Sequence, residues 1–216
     1  MKKLVIFDLD GTLLNTIADL AHSTNYALSK LGYPTHEIEK YNFMVGNGIN
    51  KLFERALPEG SKTEENVLRV RKEFIPYYDI HNADDSSPYP GIPELLAHLQ
   101  SEGIQIAVAS NKYQSATQKL ISHYFPEIHF TAVFGQREGI QVKPDPTIVF
   151  DILSLTDVDR KEVLYVGDSG VDMQTAANAG VTACGVTWGF RPRTELEEFS
   201  PEYIVDRAEQ VKGCLS

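Results

Sequence analysis

The amino-acid sequence predicts an α/β protein, a doubly wound parallel sheet with a helical unit inserted after the first strand. Three observations carry this. A short apolar run with β-branched residues, Val5-Ile6-Phe7, stops on two aspartates one residue apart, the pattern of a strand covered on both faces. From residue 92 onward, apolar runs of strand length alternate with helix-period segments, which favours parallel strands joined by crossover helices. Between these regions, residues 15 to 80 carry helical periodicity and no convincing strand.

Taken in order, the first strand ends at Asp8-Leu9-Asp10-Gly11-Thr12. Ile17, Leu20, Ala21, Thr24, Ala27, Leu28 and Leu31 then recur at helical spacing, with Asn15 or Thr16 as the N-cap and Gly32 as the stop. Ile49, Leu52, Phe53, Ala56 and Leu57 repeat the pattern, and a more charged helix is expected from Thr63 to about Tyr78. The polar, Pro- and Ser-rich stretch HNADDSSPYPG, 81–91, reads as a linker. Beyond it, Ile92 to Leu99 marks a helix, 104–109 a strand, 113–123 a helix and 131–134 a short strand. Asp145-Pro146 caps a further helix, 163–166 is a strand, a helix from Val171 ends at Gly180, and 181–187 is the last strand expected. The expected domains are residues 1–14 with 86–216 as the α/β core and 15–85 as the helical unit.

A chain of 216 residues with 42% hydrophobic content can bury a real core. No run approaches the roughly 18 apolar residues of a membrane span, and the N-terminus lacks the apolar core of a signal peptide, so a cytoplasmic location is expected. Cys184 and Cys214 are isolated and suggest neither a disulfide framework nor a thiolate metal site. The net charge of -10 argues against nucleic acid or an anionic membrane as partner. A small anionic substrate stays possible, provided a local positive centre offsets the global field.

In doubly wound sheets, ligands bind at the carboxyl ends of the strands. Four polar clusters fall there: Asp8 and Asp10; Ser110-Asn111 after IQIAVA; Lys143-Pro144-Asp145; and Gly167-Asp168-Ser169 with Asp172 after VLYV. Each alone is also what a cap, a turn or a solvated surface uses, but their joint placement at strand ends points to one site. Clustered carboxylates repel by roughly 4 kcal/mol per close pair at an effective dielectric near 20. A divalent cation relieves this, and oxygen ligands without His or Cys point to Mg²⁺. That cation and Lys143 supply the positive centre. An ionised aspartate beside them can attack phosphorus, and a carboxyl two residues on can serve the leaving group as general acid.

In this order, DLDGT, SN after an apolar strand, KPDP and GDSGVD resemble the four motifs of the haloacid dehalogenase-like phosphohydrolases. The resemblance covers nearly the whole chain and implies a Rossmann-like core, with the helical unit as a cap. The segment VGNGINKLFERAL, 45–57, is similar to the subgroup containing phosphoglycolate phosphatases. By this resemblance Asp8 is the nucleophile that becomes an aspartyl phosphate, Asp10 the general acid and then base, and Ser110 and Lys143 the holders of the phosphoryl oxygens. Asp8, the backbone carbonyl of Asp10, and Asp168 would ligate Mg²⁺, with Asp172 orienting metal-bound water. Thr12 and Asn111 join the substrate-binding candidates, although Gly11 and Thr12 also suit a purely geometric role in the turn. Relatives often carry Asp where Asn15 stands; Asn caps a helix about as well.

The expected substrate is a small phosphorylated metabolite. The helix expected to start near Gly48 places Lys51 and Arg55 four residues apart on one side, and Gly46 and Gly48 bracket its start. Gly48, Lys51 and Arg55 are therefore candidates to hold the carboxylate of 2-phosphoglycolate, against the plainer reading of two solvated basic residues. A pyrophosphatase, a sugar-phosphate phosphatase and a phosphosugar mutase are the alternatives within the family, and a receiver-type phospho-acceptor signalling domain the alternative outside it. Monomer and homodimer are both open.

Overall fold

The computed structural model describes residues 1–216. In chain order it contains β1 (Leu4–Phe7), β2 (Leu14–Asn15), α1 (Ile17–Lys30), α2 (Ile49–Ala56), α3 (Glu64–His81), β3 (Ser87–Pro88), α4 (Ile92–Ser101) and β4 (Gln105–Tyr113). Then follow α5 (Gln114–Tyr124), β5 (Ala132–Gln136), α6 (Thr147–Leu153), β6 (Val163–Gly167), α7 (Gly170–Ala179), β7 (Thr182–Val186), α8 (Arg193–Glu198) and β8 (Tyr203–Val205). Short 3-10 segments occupy Ile38–Phe43, Arg160–Glu162 and Ala208–Cys214.

The main sheet has six strands in the order β5-β4-β1-β6-β7-β8, all paired parallel. Strand alternation divides the core in two. Val5 and Phe7, Ile106 and Val108, and Leu164 and Val166 face one layer with α4 and α5. Leu4 and Ile6, Ala107 and Ala109, and Val163 and Tyr165 face the other with α6 and α7. Both faces are covered, which is why these strands read as unbroken apolar runs. β1 lies between β4 and β6, where the winding reverses, and the crevice outside its carboxyl end is the expected ligand position.

The helical insertion has its own core of Leu20, Leu28, Tyr41, Leu52, Phe53, Val70, Phe74 and Tyr78 among others, joined by Ala116 from α5. α3 runs to His81, further than the sequence suggests, and accommodates Pro76 in its interior. The cost of the lost backbone bond is offset by packing, since Phe74 stacks on Tyr78 and meets Phe53 edge-on.

The expected linker contains β3, which pairs antiparallel with β2 through Leu14↔Pro88 and Asn15↔Ser87. Two residues per strand are too few to leave a periodicity in sequence. β8 and α8 were likewise not expected, being three and six residues long. β4 extends past Ala109 to Tyr113 with a break in register, so Ser110, Asn111 and Lys112 lie within the strand's final stretch. Of the two expected caps of α1, Thr16 occupies the N-cap position without a side-chain capping bond, and Asn15 Oδ1 accepts a long hydrogen bond from the Ile17 N–H at 3.4 Å.

Asp19 of α1, 2% exposed, accepts hydrogen bonds from the backbone N–H of Asp85 and Ser86 and from the Ser86 hydroxyl. It fastens the chain leaving the insertion to the helix that enters it. Asp19→Ala would strand these donors, and bonds to a charged acceptor are worth about 1.5–3 kcal/mol each. A loss of at least about 2 kcal/mol is therefore expected in urea unfolding; a loss under 0.5 kcal/mol would show that this clamp adds nothing. No helix is long and apolar enough to cross a membrane.

Candidate active site

The ends of β1, β4 and β6, the loop before α6 and the first turn of α7 bring seven sequence-predicted side chains to one cavity: Asp8, Asp10, Ser110, Asn111, Lys143, Asp168 and Asp172. All but Asp10 are buried. From the insertion, Gly46, Gly48, Ile49 and Leu52 close the cavity from above. The space they leave is about 40 Å³.

Lys143 is the hub. Its ammonium donates to Asp8 Oδ1 at 2.8 Å, Asp172 Oδ1 at 2.7 Å and the Ala109 carbonyl at 2.8 Å, which uses all three of its protons. Burial works against its charge, yet Asp172 and Asp8 hold its pKa well above the usual lysine value. Asp172 is itself set by the first turn of α7, where Ser169 donates through both its hydroxyl (2.6 Å) and its backbone N–H (3.2 Å). Asn111 is held differently from the substrate-binding role expected of it. Its amide donates to the Gly46 and Lys143 carbonyls, and its carbonyl accepts the Lys143 N–H at 2.8 Å. It lines the cavity but works as a tie between β4, the Lys143 loop and the insertion.

Asp8, Asp168 and Asp172 place carboxylate oxygens within 4.8 Å of one another. Burial, the larger cause, lifts the Asp8 carboxyl to about 7 against the pull of Lys143, with Asp172 and Asp10 pushing the same way as burial. Burial and the neighbouring Asp172 and Asp8 likewise hold Asp168 well above the carboxylate range. One ammonium is too little positive charge for this cluster, and oxygen donors alone surround it. The residues present therefore fit a hard divalent cation. The chain is shaped closely around Asp168: a Cβ at Gly11 would fall 2.2 Å from its Oδ2, and one at Gly189 2.3 Å from its Cβ. The side chain of Asp10 is not part of the cluster, so only its backbone carbonyl, as the resemblance implied, is a candidate ligand from that residue.

Three expected binding residues do not line the cavity. Thr12 is fully buried, its hydroxyl without a partner and its carbonyl accepting the Trp188 indole N–H at 3.0 Å. Trp188 is thus a packing residue beside the turn. Lys51 lies on the far side of α2 and pairs with Glu54 in solvent. Arg55 donates to the Met44 carbonyl and to Asn47 Oδ1, which shapes the loop before α2 but faces no ligand. The i, i+4 spacing correctly put both on one side of the helix; it could not say that Ile49 and Leu52, not the basic side, turn to the core. Lys51→Glu is accordingly expected to leave kcat/KM within about twofold for any substrate, the usual range for an exposed pair; a tenfold rise in KM for an anionic substrate would reverse this placement.

The sequence reading missed two cations that line the cavity, Lys112 and Arg191. Lys112 donates to both oxygens of Asp10, at 2.9 and 3.1 Å, and is 4% exposed. Arg191, in the WGFRPR segment after β7, reaches across to the carbonyls of Asn42 and Val45 in the insertion. Lys112 lies in the last stretch of β4, directly after the predicted Ser110-Asn111 pair, and that adjacency was the available signal; Arg191, five residues beyond β7, offered none.

Comparison with known proteins agrees with this geometry. The family model of the haloacid dehalogenase-like hydrolases matches residues 5–186. A phosphoglycolate phosphatase of Haemophilus influenzae is 32% identical over 99% of this chain and 98% of its own, and one of Pseudomonas savastanoi 31% identical over 100% and 80%. A solved structure from Lactobacillus delbrueckii subsp. bulgaricus superposes with a TM-score of 0.93 at 33% identity, covering 100% of this chain and 99% of that one. Lys143 lies in the loop before α6, seven residues past the end of β5, and not at the strand end expected for it. Three polar strand ends and this loop gathered beneath a helical insertion, and a family match that spans all four, leave no place for the receiver-type reading: the chain belongs to the haloacid dehalogenase-like hydrolases.

Proposed function

We propose that this hydrolase, a phosphoric monoester hydrolase by its kinship, cleaves 2-phosphoglycolate to glycolate and phosphate through an aspartyl phosphate on Asp8. The observation that carries the reading is the small, half-open cavity, in which nucleophile, second carboxyl and phosphoryl-holding groups meet under Gly46, Gly48 and Ile49. Its free space corresponds to about three or four waters, which suits a two-carbon leaving group better than a hexose. The relatives named above for phosphoglycolate support the same choice.

In this mechanism Asp8 Oδ1, held by Lys143 at 2.8 Å, fixes the carboxylate so that its other oxygen can attack phosphorus in line. Ser110 and Lys143 stand where the equatorial phosphoryl oxygens gather charge. Asp10 gives its proton to the departing alkoxide and then takes one from the water that hydrolyses the aspartyl phosphate. Asp8, Asp168 and the Asp10 carbonyl are the residues to hold Mg²⁺, with Asp172 beside them. Bound there, the cation neutralises the carboxylates and the phosphoryl oxygens. The start of α2, at Gly48 and Ile49, presents backbone N–H groups that can take the substrate carboxylate. The reading places the enzyme in the cytoplasm.

The test is phosphate release across phosphoglycolate, sugar phosphates, pyrophosphate and nucleotides. Phosphoglycolate is expected to have the highest kcat/KM by at least about tenfold; preference for a hexose phosphate or pyrophosphate would overturn the substrate and leave the chemistry standing. Chelation should abolish activity and Mg²⁺ restore it, with Ca²⁺ a poor substitute because its looser coordination can engage both oxygens of Asp8. Full turnover after exhaustive chelation would remove the metal from the mechanism.

A further inference from the structure

We propose that Lys112, seated on the ring of Tyr78, is the positioning residue that fixes Asp10 for proton transfer and leaves Asp10 Oδ2 as the oxygen that carries the proton. This rests on the assignment of Asp10 as general acid and base.

The ammonium of Lys112 is 2.9 Å from Oδ1 and 3.1 Å from Oδ2 of Asp10, and Thr16 donates its hydroxyl to Oδ1 at 2.6 Å. The two shorter bonds converge on Oδ1. Oδ2 keeps one longer contact and a free lone pair, on a side chain that lines the cavity. The other side of the ammonium lies over the Tyr78 ring, 4.8 Å from its centre. Tyr78 belongs to α3, is fully buried and is stacked on Phe74. Its hydroxyl finds no hydrogen-bond partner, so what Tyr78 offers is its ring face.

Lys112 is thus committed on both sides, to a carboxylate and to an aromatic face. Lys112 lines the cavity, but a substrate carboxylate could recruit it only at the expense of the pair with Asp10, so its role is to support the proton donor and not to anchor the leaving group. The proton that leaves Asp10 goes to the departing oxygen and is replaced from the attacking water, so the cycle balances. Because Lys112 comes from β4 and Tyr78 from α3, the donor is in register only while the insertion is seated on the core.

Lys112→Met, Lys112→Arg, Tyr78→Leu and Asp10→Asn, each with saturating Mg²⁺, should be compared on three substrates. These are phosphoglycolate, ethyl phosphate and 2,4-dinitrophenyl phosphate. The first two need a protonated leaving group and the third does not; only the first has a carboxylate. Lys112→Met is expected to lower kcat about 100-fold on both alkyl substrates alike, within the usual worth of acid–base catalysis. With the dinitrophenyl ester it should release a burst of phenolate equal to the enzyme and then turn over slowly, because attack by Asp8 is intact while activation of water is not. Lys112→Arg should recover at least tenfold of the loss, and Tyr78→Leu should show the same pattern at smaller amplitude.

A loss confined to phosphoglycolate would make Lys112 a carboxylate anchor and overturn the proposal. So would loss of the burst, which would place Lys112 in the attack step, and so would unchanged kinetics. If Lys112→Met fails to fold, Tyr78→Leu and Lys112→Arg decide: wild-type behaviour in the former or dead enzyme in the latter is negative. Asp10→Asn separates the two layers. If it treats alkyl and aryl esters equally, the acid–base assignment itself falls; if it shows the burst and Lys112→Met does not, only the role of Lys112 falls.

Discussion

Asp8→Asn is expected to lower phosphate release by at least about 10³-fold while the protein stays folded, because the change removes the nucleophile and conserves the volume. Stability should be unchanged or higher, since burial already disfavours the Asp8 charge. Lys143 keeps Asp172 and the Ala109 carbonyl as partners in the variant. The decisive readout is covalent: with 2,4-dinitrophenyl phosphate, whose leaving group needs no proton, acid-quenched Asp10→Asn enzyme should carry phosphoryl on protein during turnover, and Asp8→Asn should carry none. Phosphoprotein in Asp8→Asn, or substantial turnover by it, would mean that water attacks directly or that another residue is phosphorylated.

Lys143→Met should be the most damaging single change to both activity and stability. The side chain is 2% exposed and bridges Asp8 and Asp172. Without it, two buried carboxylates face each other unpaired, and breaking a buried ion pair costs about 3–5 kcal/mol. Activity should fall by about 10²–10³-fold or more, as when one stabiliser of transition-state charge is removed. Mg²⁺ should raise the urea midpoint of this variant more than that of the wild type, because the cation is then the sole compensation for the cluster. Equal Mg²⁺ effects on both proteins would show that the cation does not sit among these carboxylates.

The alternation of apolar strands with helices was legible because both faces of the sheet are covered, so β1, β6 and the Ile106–Ala109 stretch of β4 are apolar without interruption. The strand-end clusters were legible for a related reason: Asp8, Ser110 and Asp168 break apolar runs where a buried chain has no other need of polarity, whereas Lys143 lies in a loop and was legible through the Lys-Pro-Asp-Pro motif. What could not be read was orientation across the gap between insertion and core. Lys51 and Arg55 look like binding residues on a helical wheel, but the wheel does not say which side of α2 meets the core; the apolar stripe does, and it is Ile49 and Leu52 that reach the cavity. Lys112 was passed over because a lysine next to Ser110-Asn111 resembles any solvated lysine until β4 is seen to continue to Tyr113. Arg191 acts on backbone carbonyls far away in sequence, which leaves no local trace.

The pairing of Asn15 with Ser87 has a topological consequence. Residues facing each other in an antiparallel pair stand about 5 Å apart, so the insertion leaves the core and returns to it at nearly one point. To the six-stranded sheet, everything from residue 16 to 86 is the loop of a hairpin, and closing a loop depends only weakly on what it contains. The sheet's strand connections are therefore independent of the roof's length and content, even though the site itself leans on the roof through Asn111, Lys112 and Arg191. A change in the roof can thus alter what the site accepts without altering how the sheet is threaded.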